Sequence, residues 1–109
     1  MLKCFDQKMK KLVIKPESFF RVLAGTSRSQ VAEMVLGPGE KTGGPTNMHP
    51  ASDQWLYVVS GAGKTIVGGK AINIQKGELL LIEAGETHEI INKADKPLKT
   101  FNIYSPPEY

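Results

Sequence analysis

Glycine and proline interrupt this sequence so often that no long helix can form in it. The 109 residues include 11 glycines and 7 prolines, and these fall between short apolar runs. No segment keeps a helical apolar period for more than about two turns, and residues 1–12 hold at most one weak helical turn. The runs that remain are short and rich in β-branched and aromatic residues, which suit a pleated, half-buried surface. Phe19 to Ala24 and Val31 to Leu36 read as strands joined by a hairpin loop that opens at Gly25. The stretch from Glu40 to Pro50 is polar and Gly/Pro-rich and reads as a loop. Trp55 to Ser60, Lys64 to Val67, Ala71 to Ile74, Glu78 to Ile82, His88 to Ile91 and Leu98 to Tyr104 are further strands. The tail Pro106-Pro107-Glu-Tyr109 cannot join a sheet centrally, because proline lacks the donor a ladder needs. Eight or nine short strands at near-regular spacing predict an all-β fold, a sandwich or a barrel.

Length and composition narrow the functional classes. A chain of 109 residues, 40% of them apolar, supports one domain with a real core. No linker, repeat or low-complexity stretch divides it, so residues 1–109 are assigned to one domain. The net charge of +3 owes part of its excess to Lys3, Lys8, Lys10, Lys11 and Lys15. That basic arm, about residues 1–15, reads as solvated, and no nucleic-acid partner is expected. Cys4 is the sole cysteine, so no internal disulfide is possible, and it reads as an incidental thiol. No signal-peptide apolar region is seen at the start, and the longest aliphatic run, Leu79 to Ile82, is far short of a membrane span. A soluble, cytoplasmic protein without a membrane partner is expected.

His49 and His88 are the only histidines, and each lies where a loop enters a strand. Strand side chains alternate between faces. Ile90 and Asn92 therefore share the face of His88, and Leu56 and Val58 share that of Gln54, opposite Trp55, Tyr57 and Val59. A barrel mouth could thus receive His49, Gln54, His88 and Asn92 together. Two imidazoles and an oxygen donor can hold a borderline divalent metal and leave coordination positions open. The plainer alternative, half-buried polar residues without metal, is open on spacing alone. Glu33, Glu83, Glu86 and Tyr104 are candidates for acid–base work if they reach the mouth.

Two segments resemble the paired motifs of the cupin family. Gly77-Glu-Leu-Leu-Leu-Ile-Glu83-Ala-Gly85-Glu-Thr-His88-Glu-Ile-Ile-Asn92 matches every spacing of G-x5-P-x-G-x2-H-x3-N, with Glu83 in place of the proline. Gly44-Pro-Thr-Asn-Met-His49-Pro-Ala51-Ser-Asp-Gln54, continuing to Gly61, is similar to G-x5-H-x-H-x3,4-E-x6-G, with shorter loops. The motif-bearing core spans about residues 33–104. The resemblance implies a double-stranded β-helix, or small jelly-roll barrel, with a metal at its centre and often a homodimer. Outward aromatics such as Trp55 and Tyr57 offer a surface for such pairing. The family's ligands are three histidines and one glutamate. Carried over by position, they leave His49 and His88 as strong ligands and Gln54 as a weak one, with Ala51 at the second histidine's position. Asp53 is adjacent in sequence, but alternation points it away from Gln54's face. The cofactor implied is a divalent ion (Zn, Ni, Fe or Mn). The implied functions are a metal-dependent isomerase, lyase or dioxygenase acting on a small carbonyl, acid or sugar. The alternative is a non-catalytic ligand-binding or structural barrel without metal.

Overall fold

The structure, a computed structural model, describes Lys11 and residues 19–109. The basic arm, apart from Lys11, the weak helical turn and Cys4 lie outside the described residues. The described residues form nine strands and no helix: β1 (Phe20–Gly25), β2 (Gln30–Leu36), β3 (Lys41–Met48), β4 (Asp53–Ser60), β5 (Ala62–Val67), β6 (Lys70–Gln75), β7 (Leu79–Ile82), β8 (Thr87–Ile91) and β9 (Leu98–Ser105). They build a five-stranded sheet, ordered β1-β2-β9-β4-β7, and a four-stranded sheet, ordered β3-β8-β5-β6. Every pairing is antiparallel.

One strand escapes the sequence reading. Lys41–Met48 is β3, where glycine, proline and polar residues predict a loop. The segment occupies an edge of its sheet, and its register against β8 breaks between Gly43 and Met48. An edge strand tolerates proline and glycine because half its backbone groups need no partner in the ladder. A second difference is small: β5 begins at Ala62, two residues before the run Lys64 to Val67 read as a strand.

Register stacks the inward residues of the larger sheet in rows. At one end, Gln30, Tyr104, Gln54 and Ile82 stand side by side across β2, β9, β4 and β7. Ala32, Asn102, Leu56 and Leu80 form the next row, followed by Met34, Thr100 and Val58, then Leu36 and Leu98. Met34, Leu36, Leu56, Val58, Ile74, Ile90 and Leu98 make the buried core, with Phe20 and Leu80 packed against it. Burying aliphatic side chains of this size contributes about 1.5–3 kcal/mol each. The core therefore fills the middle and far end, and the first row, apart from Ile82, presents polar groups. The outward side chains Trp55, Tyr57, Leu79, Leu81 and Ile103 are all exposed on the opposite face of the same sheet.

Gly61 sets the far end. Its φ of 86° lies in the left-handed region, and a Cβ there would run into the carbonyl oxygen of Pro97. The 93–97 loop can approach this closely only because residue 61 has no side chain.

Candidate functional site

His49 follows β3 directly, and its carbonyl accepts the Gly85 amide at 2.9 Å. That bond ties the 83–86 turn to the start of the site. His88 lies in β8 opposite Val67. The two imidazoles meet at the polar end of the barrel, with ring centroids 4.7 Å apart and planes 42° from one another. Both residues are buried, at 7% and 5% exposure. Tyr104 packs its ring edge-on to His49 at 5.3 Å, which puts the first row of the larger sheet against the histidines.

Each imidazole has Nδ1 turned to an oxygen. His49 Nδ1 lies 3.2 Å from Glu108 Oε2. His88 Nδ1 lies 3.5 Å from the Glu86 carbonyl. A carbonyl can only accept, so a hydrogen bond to Glu86 is donated by Nδ1–H, the form in which a neutral imidazole keeps its lone pair on Nε2.

Gln54 is 2% exposed and heads a polar ladder running down the barrel. Its Nε2 donates to Asn102 Oδ1 at 3.2 Å, and Asn102 Nδ2 donates to Thr100 Oγ1 at 3.3 Å. Gln54 Oε1 is buried with no hydrogen-bond partner among the described residues. An orphaned buried acceptor costs about 1–3 kcal/mol, so it marks a place where a ligand or ion gains.

Burial holds the His88 imidazole below its ordinary value of 6.5, and the adjacent His49 adds to this; the Glu86 carbonyl and the Glu108 carboxylate act the other way. With the folded value below the unfolded one, the unfolded chain takes up the proton first as pH falls. The stability contributed by neutral His88 is fully present above 6.5 and is lost as pH falls through the folded value. Urea midpoints measured between about pH 5 and 8 should therefore fall on acidification. His88→Gln should flatten that dependence, and an equal slope in the variant would refute the assignment. Tyr104 is pushed up by burial, then by Tyr109 and Glu108 beside it, and its phenol stays protonated.

Several expectations are corrected here. Asn92 does not reach the mouth. Four residues beyond His88 is about 13 Å along a strand. There Asn92 donates to the Leu36 and Lys96 carbonyls at 2.9 and 2.8 Å and accepts the Ala94 amide at 2.9 Å. It pins the 93–97 loop. Ala51 is exposed, while Ser52, 2% exposed, takes the inward place. The loop before Gln54 is shorter than the family's, and alternation from Gln54 decides which side chain turns in. Asp53, as alternation implies, points away from Gln54's face and accepts the Ala84 amide at 3.0 Å. Glu33, buried at 1% exposure, lies on the face of β2 opposite Gln30 and Ala32, with Arg21 Nη2 3.5 Å from its Oε2; Glu83 is exposed, and Glu86 Oε1 accepts the Glu83 amide at 2.8 Å. Of the four acid–base candidates, Tyr104 alone has its side chain at the mouth.

The sequence reading misses the residues that close the site. Residues 106–109 fold back across the mouth. Gln30 Oε1 accepts the amides of Glu108 and Tyr109 at 3.2 and 2.9 Å, and Gln30 Nε2 donates to the Tyr109 carbonyl at 2.7 Å. Ser52 Oγ donates to the Pro106 carbonyl at 2.7 Å. The Tyr109 ring packs on Phe20, Tyr104 and His49 at 4.9, 5.2 and 5.8 Å. The only signal in the sequence is an acid and an aromatic placed just after two prolines. A groove of about 610 Å³ opens elsewhere, toward the far end of the smaller sheet, beside Lys64, Gln75, Glu78 and Lys93, and no imidazole lines it.

Comparison with known proteins agrees with this fold. The chain is 33% identical over 102 residues to the uncharacterised protein YrkC of Bacillus subtilis, covering 87% of this chain and 54% of that one. It is 28% identical over 82 residues to the tetracenomycin polyketide synthase protein TcmJ of Streptomyces glaucescens, covering 75% and 54%. The chain thus spans about half the length of these curated relatives. The crystal structure of BH2720 from Bacillus halodurans superposes with a TM-score of 0.79 at 32% identity, over 84% of this chain and 73% of that one. The cupin domain family matches residues 32–104, so His49, Gln54 and His88 all fall inside the match. The two-sheet barrel, with its paired histidines at one end, belongs to the cupin family.

Proposed function

We propose that this cupin holds a divalent metal ion between His49 and His88, with Gln54 beside them, and binds a small carbonyl, acid or sugar there. The observation that carries the reading is the pair of buried imidazoles 4.7 Å apart, each with Nδ1 turned to an oxygen. That is the arrangement by which metal-binding histidines are held through the nitrogen that does not bind. The orphaned Gln54 Oε1 supports the fit, because a cation would satisfy it. A bound divalent ion supplies Lewis-acid polarisation of a carbonyl or enolate oxygen. The protein's own share is to orient the imidazoles, keep Tyr104 neutral as a hydrogen-bond donor and shield the mouth with residues 106–109. The likeness to a polyketide synthase protein supports a carbonyl-bearing ligand, since polyketides are rich in carbonyls. With two imidazoles and no third or fourth strong donor, open positions are left for a ligand that brings its own oxygen.

Calorimetric titration of the metal-free chain with zinc and with nickel tests this. One ion per chain is expected. His49→Ala and His88→Ala should each weaken binding by about 3 kcal/mol, near a hundredfold, which is one ligand's share of a typical zinc site. No heat in the wild-type chain would reject the metal reading. A metal-free ligand pocket is the second reading, favoured by the absence, among the described residues, of any group of three or more His, Cys, Asp or Glu side chains that could hold an ion.

A further inference from the structure

We propose that Glu108 is a positioning residue of the site: residues 106–109 form a strap that brings its carboxylate to His49 Nδ1 and so fixes which nitrogen His49 presents inward. The family's glutamate position is held by neutral Gln54, so the barrel strands bring no negative charge to the two imidazoles. Glu108 brings one from outside the strands. Its Oε2 lies 3.2 Å from His49 Nδ1, and its side chain is only 22% exposed against 8% for the imidazole. A carboxylate accepts and does not donate, so Nδ1 carries a proton toward Glu108, and in a neutral imidazole that leaves Nε2 as the lone pair. His88 is set the same way by the Glu86 carbonyl at 3.5 Å. One histidine is therefore oriented by the backbone of its own turn, and the other by a side chain some 59 positions later in the sequence.

The strap is built to hold that position. Gln30, 7% exposed, makes three hydrogen bonds to the backbone of residues 108 and 109. Ser52 holds Pro106, and Ser105 Oγ donates to the Arg28 carbonyl at 3.2 Å just before it. Tyr109 closes over Phe20, Tyr104 and His49. Apart from Phe20, which packs against the core, these contacts run to residues of the mouth or its rim. A solvated tail has no use for a buried glutamine devoted to its backbone.

The test reads the tautomer directly. Nitrogen-15 NMR of the metal-free chain should show His49 protonated on Nδ1. Glu108→Gln keeps an acceptor oxygen and should preserve that tautomer. Glu108→Ala should lose it, leaving a mixture or the Nε2–H form, while His88, held by the Glu86 carbonyl, keeps its own tautomer. Gln30→Ala, which frees the strap without touching either partner, should reproduce the alanine result. An unchanged His49 tautomer in Glu108→Ala overturns the proposal. Zinc titration gives a second readout, which rests on the metal reading: Glu108→Ala should weaken affinity by about 10–100-fold, and Glu108→Gln by less. Equal losses in the two variants would point to a direct bond from Glu108 to the ion and overturn the positioning role. A wild-type chain that ignores zinc while its tautomer still depends on Glu108 would sink the metal reading and support the strap's role.

Discussion

Gln54→Glu is expected to bind zinc about a hundredfold more tightly than the wild-type chain, a gain near 3 kcal/mol. Gln54 is buried in the first row beside Tyr104, whose ring touches His49. A carboxylate there adds formal charge in a desolvated place, which a cation gains from most. The same change should cost stability without metal. Gln54 Nε2 donates to Asn102 Oδ1, and a carboxylate cannot donate. The metal-free variant should therefore lose about 1–3 kcal/mol, and zinc should restore more than that. Ala51→His, the other change that would rebuild the family's ligand set, is expected to add nothing, because residue 51 is exposed. The double variant should match Gln54→Glu alone. Calorimetry gives the affinities, and thermal melts with and without zinc give the stabilities. A gain from Ala51→His would mean that residue 51 turns inward after all; no gain from Gln54→Glu would remove Gln54 from the site.

Gly61→Ala is expected to be the most damaging single methyl in the described fold, at about 2–5 kcal/mol. Two costs combine. A non-glycine residue in the left-handed region costs about 1–2 kcal/mol. Overpacking against fixed backbone costs about 1–3 kcal/mol more, and here the new Cβ meets the Pro97 carbonyl oxygen and the Leu98 Cα at 3.0 Å. Asn92 grips the same loop through its bonds to Lys96 and Ala94, so the loop cannot simply retreat. Gly39→Ala serves as a control: it also has positive φ, at 80°, but nothing lies within 4 Å of its Cβ. It should lose only the conformational part. Denaturant unfolding of both variants decides the matter, and equal losses would show that the contact with the 93–97 loop has no weight.

Eight of the nine strands can be read from short apolar runs and the glycines between them, because period-two burial and turn chemistry are local properties. β3 cannot, since Lys41–Met48 has no local preference for a strand. It becomes one by pairing with β8 at a sheet edge, a non-local event. The histidine pair is legible in part. Motif spacing singles out His49 and His88, but only the pairing of β8 with β5 and the return of β3 bring the rings to 4.7 Å. Asn92 shows the limit of face-sharing arguments: alternation gives the correct side of the strand and says nothing of the distance along it.

What the sequence determined by itself is the class of fold, the inward faces of β4 and β8 and the identity of the two histidines. These follow from periodicity and residue type, which act between near neighbours. The tertiary structure alone decided that Ser52, not Ala51, turns inward, and that Glu108 reaches His49. Both depend on where the chain is after long loops close, and loop closure depends on the rest of the barrel rather than on any local preference. Gln30 and Glu108 are 78 residues apart and meet only because β2 and β9 are neighbours in one sheet, so that the strand ending at Ser105 delivers the following residues to the row where Gln30 stands.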